Sequence, residues 1–144
     1  MLFSHDGIHD SQTHLSSPSF FYEQLRREIS LAKRVQKPLA LVKVLFVNPK
    51  AVQVGAHDIL HFSYELTQLT RHEECIGRLG VNEVVIIVRD GHSDAEQLVQ
   101  RLLGSTSLSV DGSLQIKISK IYGEGYEDSL TLLARLDQAE LISQ

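Results

Sequence analysis

The residues able to do chemistry are few and scattered. His57 and His61 stand four apart, with Asp58 beside them. On a helix that spacing puts two imidazoles on one face, as a metal site would need. No Glu follows His57 in the zinc-protease pattern and no third ligand is spaced nearby, so both are expected to be surface histidines. The single cysteine, Cys75, opens an apolar run and is expected to be a small, buried side chain. A reactive thiol would need a neighbouring base. Gly123-Glu124-Gly125 looks like a fragment of a phosphate loop but lacks the Lys-Ser/Thr that follows one, so it is expected to be a connector. The seven histidines supply groups that titrate near neutrality. The most organised stretch is Arg78-Leu79-Gly80-Val81-Asn82-Glu83-Val84, running on to Val88. It sets an arginine and a carboxylate at either side of a short turn. Residues 75–79 and 83–88 read as strands, with Gly80-Val81-Asn82 as the hairpin tip. Gly80 has no Cβ, and Asn82 tolerates positive φ better than most residues.

The elements that must hold these groups follow from periodicity. Residues 1–16 are polar and are expected to form a flexible lead-in to one domain over 17–144. Ser17-Pro18 predicts a helix start, and Phe21, Leu25, Ile29 and Ala32 carry that helix to about residue 36. Residues 39–47 are apolar except for Lys43, the pattern of a central strand covered on both faces. Ile59, Phe62, Leu66 and Leu69 mark a helix over about 57–72. After the hairpin, Ser93-Asp94-Ala95-Glu96 reads as a capping box for a helix ending at Gly104. Asp111-Gly112 reads as a second hairpin turn, ahead of alternating Leu114, Ile116 and Ile118. A last helix is predicted over about 127–142. Hairpins and one crossover make an α/β (α+β) protein with a mixed sheet and helices packed on it.

Bulk properties exclude several classes. The chain has 144 residues, 42% hydrophobic and 22% charged, as expected for one globular domain. A net charge of −4 with no basic cluster gives no footprint for nucleic acid or an anionic membrane. A lone cysteine suits a reducing compartment, and no apolar run is long enough to span a bilayer. A cytoplasmic protein is the expectation.

Taken in order, the chain resembles the GGDEF family, the cyclases that make cyclic di-GMP. Of the family's Arg-Leu-Gly-Gly-Asp-Glu-Phe signature, Arg78, Leu79, Gly80 and Glu83 match, while Val81, Asn82 and Val84 differ. Asp10-Ser11-Gln12-Thr13-His14-Leu15 is similar to the family's opening Asp-x-Leu-Thr-Gly-Leu, with Phe21 further on. Residues 25–29 resemble its first helix and 38–42 the lead into its first strand. Lys50 falls on its Phe-Lys pair, the Ser119 region on its Ser-Ile-Gly strand, and Leu136-Asp137-Gln138-Ala139 on its Ala-Asp-x-Ala. The resemblance covers residues 10–142 and implies a palm-like, mostly antiparallel, five-stranded sheet flanked by helices.

The resemblance also implies what the chain does not do. The two metal-binding carboxylates of such cyclases fall on Leu45 and Asn82, and a further acidic position falls on Val47. The second signature glycine falls on Val81, whose branched side chain obstructs backbone approach to phosphates. Gln53 replaces an Asn of the guanine-contacting segment, and several residues are missing between Lys50 and His57. Glu83 alone remains, and one carboxylate does not hold two magnesium ions. No catalytic residue, metal or cofactor is therefore expected. Many family members carry an inhibitory product site, Arg-x-x-Asp, just before the signature. Here it reads Arg71-His72-Glu73-Glu74 at the same spacing, and Arg101 falls where the family adds a second arginine. Arginine offers a fork of donors to phosphate or guanine, and a carboxylate can accept from guanine N1 and N2. The expectation is a silent regulatory module that binds cyclic di-GMP at Arg71, Glu74 and Arg101. The alternative is a protein-interaction or self-association module without a nucleotide, with Val81 and Val84 as candidate apolar tip residues.

Overall fold

The computed structural model describes residues 7–51, 53–71, 74–89, 92–123 and 127–144. Helix α1 (Pro18–Val35) starts where Ser17 Oγ accepts from the Phe20 amide and ends where Gln36 turns left-handed at φ 55°. Strand β1 (Leu39–Val47) follows, then α2 (Ala56–Leu69), β2 (Cys75–Gly80), β3 (Glu83–Arg89), α3 (His92–Gly104), β4 (Gln115–Tyr122), α4 (Ser129–Gln138) and the short β5 (Ile142–Ser143).

The strands lie in the order β2-β3-β1-β4-β5. Among the described residues every strand pair is antiparallel; a parallel pairing occurs only as an isolated bridge between Ser16 and Gly77. β1 and β2 flank β3, and β3 and β4 flank β1. The helices α2 and α3 each therefore cross over one strand, and the two crossovers interlock.

β1 is apolar along its length because both its faces are covered. Ala40, Val42, Val44 and Phe46 pack with Ile59, Phe62 and Leu66 of α2 and Leu98, Val99 and Leu102 of α3. Leu39 and Leu41 face the other way, onto Phe21, Leu25 and Ile29 of α1 and Leu132 and Leu136 of α4. Lys43 shares this second face, yet is only 7% exposed.

Several sequence expectations need correction. Residues 7–16, expected as a flexible lead-in, are built into the fold. The Ser16 amide donates to the Ile76 carbonyl and the Arg78 amide donates to the Ser16 carbonyl, both at 3.0 Å. The first six residues lie outside those described. Asp111-Gly112 is not a hairpin turn. Residues 105–114 form a bent connection in which Asp111 Oδ1 accepts from the Ser113 amide, and Gly112 takes φ 76°. The last helix stops at Gln138, after which the chain extends and β5 adds to the sheet edge. Ser93 lies inside α3 rather than capping it. Glu96 turns away to β4, where it accepts from the Tyr122 hydroxyl and meets Lys120 Nζ at 3.0 Å. Burial first, then the bond and charge of Glu96, push the Tyr122 phenol up to about 12.

Candidate functional site

The β2–β3 hairpin turns through Val81-Asn82, and none of Gly80, Val81 or Asn82 has a positive φ. Its shape is fixed from beneath instead. Arg78 is 1% exposed, and a register shift next to it aims its guanidinium back under the tip. Nε donates to the Gly80 carbonyl (3.3 Å) and Nη2 to the Val81 carbonyl (2.6 Å). Nη1 donates to Asp10 Oδ2 (2.9 Å) and Gln12 Oε1 (2.8 Å). Asp10 is wholly buried and also accepts from the Thr13 amide and hydroxyl, at 2.8 and 2.7 Å. Burial works to raise the Asp10 pKa, but Thr13 and Arg78 outweigh it and hold the carboxyl below its ordinary value. His14, with φ 62°, makes the tight turn after it. The tip thus meets the N-terminal corner through a buried ion pair, and the Phe46 amide donates to the Asn82 carbonyl at 3.1 Å.

Beside the tip, Glu83 stands opposite Leu45 across β1 and β3, and Lys117 stands opposite Leu45 on β4. Lys43, two residues back on the same face, lies between Val85 and Ser119. Its Nζ meets Asp137 Oδ1 of α4 at 3.2 Å. The Ser119 hydroxyl is buried and has no hydrogen-bond partner among the described residues. Burial raises the pKa of Glu83, against the attraction of Lys43 and with the repulsion of Asp137. Sequence reasoning passed over Lys43; the signal was one charged residue in nine otherwise apolar ones, since a buried charge must find a partner. Val84 is 1% exposed and packs in the core, so it is not an apolar tip residue; Val81 is partly exposed.

The second predicted site lies at the far end of β2. Arg71 and Glu74 form a local turn: the Arg71 amide donates to Glu74 Oε1 at 2.7 Å, and the Glu74 amide donates to the Arg71 carbonyl at 3.1 Å. His72 and Glu73 lie outside the described residues. The Arg71 guanidinium reaches Asp94 Oδ1 in the first turn of α3 at 3.2 Å and remains 45% exposed. Asp94 lies inside the stretch read as a capping box, and its pairing with Arg71 is not expected from the sequence. Arg101 is exposed, seven residues further along α3, or about 10 Å by helix rise. Among the described residues no hydrogen bond or ion pair joins it to Arg71 or Glu74. Asp94 and Arg101 stand about two helical turns apart and so share one face of α3.

The remaining sequence candidates carry little chemistry. His61 Nε2 lies 2.7 Å from the Ser107 carbonyl, while His57 is exposed. Cys75 is half-buried, and burial pushes its thiol pKa up, away from the thiolate form that a nucleophile needs. Of Gly123-Glu124-Gly125, only Gly123 lies within the described residues, its amide donating to the Leu39 carbonyl. Among the described residues no three His, Cys, Asp or Glu are grouped to hold a metal ion, and no helix is long and apolar enough to cross a membrane.

The family model described as diguanylate cyclase, GGDEF domain, matches residues 7–139. The fold is similar to the GGDEF domain of DgcB from Caulobacter crescentus, solved in complex with c-di-GMP, at 15% identity and a TM-score of 0.76, over 96% of this chain and 88% of that one. It is similar to the diguanylate cyclase SiaD of Pseudomonas aeruginosa, solved with its activator SiaC, at 17% identity and a TM-score of 0.77. That match spans 91% of this chain and 55% of SiaD. The GGDEF domain of FimX from Pseudomonas aeruginosa matches at 16% identity and a TM-score of 0.73, over 91% and 90% of the two chains. At such identities the likeness establishes the fold. No curated protein matches the chain in sequence.

Proposed function

The chain belongs to the GGDEF domain family, and from that premise we propose that it is a catalytically silent member, serving cyclic di-GMP signalling as a binding or regulatory module in the cytoplasm. The observation that carries this reading is the pairing of Glu83 with Leu45 at the end of β1. Phosphoryl transfer by two magnesium ions needs several hard oxygens converging on them. The residues at this place do not fit that demand: one carboxylate, an aliphatic side chain opposite it, an asparagine in the turn and an ammonium already beside the carboxylate. Purified protein incubated with GTP and magnesium or manganese is expected to make no cyclic di-GMP by chromatography; measurable product overturns the reading.

The ligand-binding half of the proposal rests on Arg71. Its exposed guanidinium, paired on one edge with Asp94, suits a phosphate or a guanine Hoogsteen edge. Glu74 is less well placed, because it accepts from the Arg71 amide. Calorimetry with cyclic di-GMP is expected to give micromolar binding, weakened about tenfold or more by Arg71→Ala, at least ~1.4 kcal/mol. Binding that Arg71→Ala leaves unchanged removes this site from the reading.

The alternative, an interaction module without a nucleotide, draws on a different observation. A groove of about 330 Å³ opens between α1 and the ends of β1 and β3, walled by Leu31, Ala32, Val35 and Leu39. On α2, Leu60 and Tyr64 are 49% and 64% exposed, one turn apart. No cyclic di-GMP binding at any concentration tested, with a concentration-dependent mass by light scattering, is the outcome that favours it.

A further inference from the structure

We infer that Lys43 stands in for the divalent cation: its ammonium is a covalently tethered positive charge that takes up the carboxylates of a metal-binding strand end. The inference rests on the silent-cyclase reading and adds to it a reason why the site holds together without a metal.

A lysine that is 7% exposed in the middle of a central strand needs negative charge in reach, because an unpaired buried ammonium is strongly disfavoured. The fold supplies it from two elements. Asp137, in the last turn of α4, closes on Nζ at 3.2 Å. Glu83 heads β3 on the same sheet face, diagonal to Lys43 through the Leu45 pairing, within reach of so long a side chain. From β4, Ser119 is the cross-strand neighbour of Lys43, and its buried hydroxyl lacks a partner among the described residues. Lys117 flanks the position on the same strand. Asp137 is thus paired with Nζ, Glu83 lies diagonal on the same face and Ser119 is the cross-strand neighbour; the place would be a weak cation site were it empty, and it is filled from within. A divalent ion entering here would meet the ammonium at close range. Like charges a few ångströms apart repel even in a partly wetted site.

The test uses thermal unfolding of the full chain, with and without millimolar Mn²⁺. The wild-type melting temperature is expected to be indifferent to Mn²⁺. Lys43→Met is expected to melt lower, by about 3 °C or more, as the carboxylates lose their counter-charge. Mn²⁺ is expected to restore part of that loss in Lys43→Met and none of it in the Lys43→Met, Glu83→Gln double variant. An unchanged melting temperature for Lys43→Met, or an equal response of both single- and double-variant proteins to Mn²⁺, overturns the inference. Should Lys43→Met fail to fold, Glu83→Gln alone decides. It must lower the melting temperature of the wild-type chain if Glu83 is partnered by Lys43, and a neutral or stabilising effect overturns the inference. The GTP assay separates the two claims. Cyclic di-GMP from the wild-type protein overturns the silent-cyclase reading and this inference with it, whereas a silent wild type without rescue by Mn²⁺ overturns this inference alone.

Discussion

Of the single residues in this chain, Arg78 holds the most structure in place. It binds two carbonyls of the hairpin tip and a buried carboxylate from the N-terminal corner, so two segments far apart in the chain meet on one guanidinium. Removing one partner of a buried pair strands the other, at about 3–5 kcal/mol. Arg78→Ala is therefore expected to lose that order of stability in a denaturant titration, and Asp10→Asn to lose less, because the amide still accepts from Thr13. The pH dependence has a definite sign. Asp10 has a folded-state pKa below its unfolded value, so its contribution is complete at neutral pH and drains away as pH falls below about 4. Asp10→Asn should flatten that acid limb of the stability profile; an unaltered limb would show that other carboxylates govern it. Both residues could be picked from the sequence through the family resemblance. That they touch could not, because 68 residues separate them.

At the scale of elements, the sequence revealed helix and strand identity wherever both faces of an element are committed. The continuous apolar run of β1 and the period of α1 are such cases. It failed where two physical demands give the same pattern. Leu141 and Ile142 continue the apolar spacing of α4, yet they extend to close a sheet edge, and no glycine or proline announces the change. The glycines show the same limit. Gly80 looked conformationally necessary but has an ordinary φ, and a Cβ there would lie 3.3 Å from Glu83 Cβ. The necessary glycine is Gly77, where a Cβ would fall 2.3 Å from Phe21 Cδ1. Phe21 is fully buried and anchors α1 against β2. Gly77→Ala is expected to cost about 1–3 kcal/mol by overpacking. Gly80→Ala is expected to cost clearly less in the same chemical-denaturation experiment. Equal costs would mean that α1 can slide to accommodate a methyl group.

For the whole molecule, the question is how an open sheet of five strands avoids pairing with its neighbours. An exposed strand edge is a template for association. Here segments far apart in the chain cover both flanks. Ser16 bridges to Gly77 along the outer side of β2, its amide donating to the Ile76 carbonyl and its carbonyl accepting from the Arg78 amide. On the other flank, β5 pairs Ile142 and Ser143 with β4, and the Gln144 amide donates to the Ile116 carbonyl at 2.9 Å. Gln144 Nε2 also donates to the Leu102 carbonyl at 2.8 Å, tying this segment to the end of α3. The cover is only two paired residues long, which keeps the new edge too short to recruit another strand. Deleting residues 141–144 should therefore do two separable things. It should lower the melting temperature modestly, by a few degrees, through the lost ties to β4 and α3. It should also expose the main-chain donors and acceptors along the outer edge of β4, from Ile116 to Ile118, so that the truncated protein associates as its concentration rises. Light scattering during a dilution series reads the second effect independently of the first. A truncated chain that melts lower but stays monomeric would show that β5 acts as a brace and that something other than its cover keeps the β4 edge from pairing.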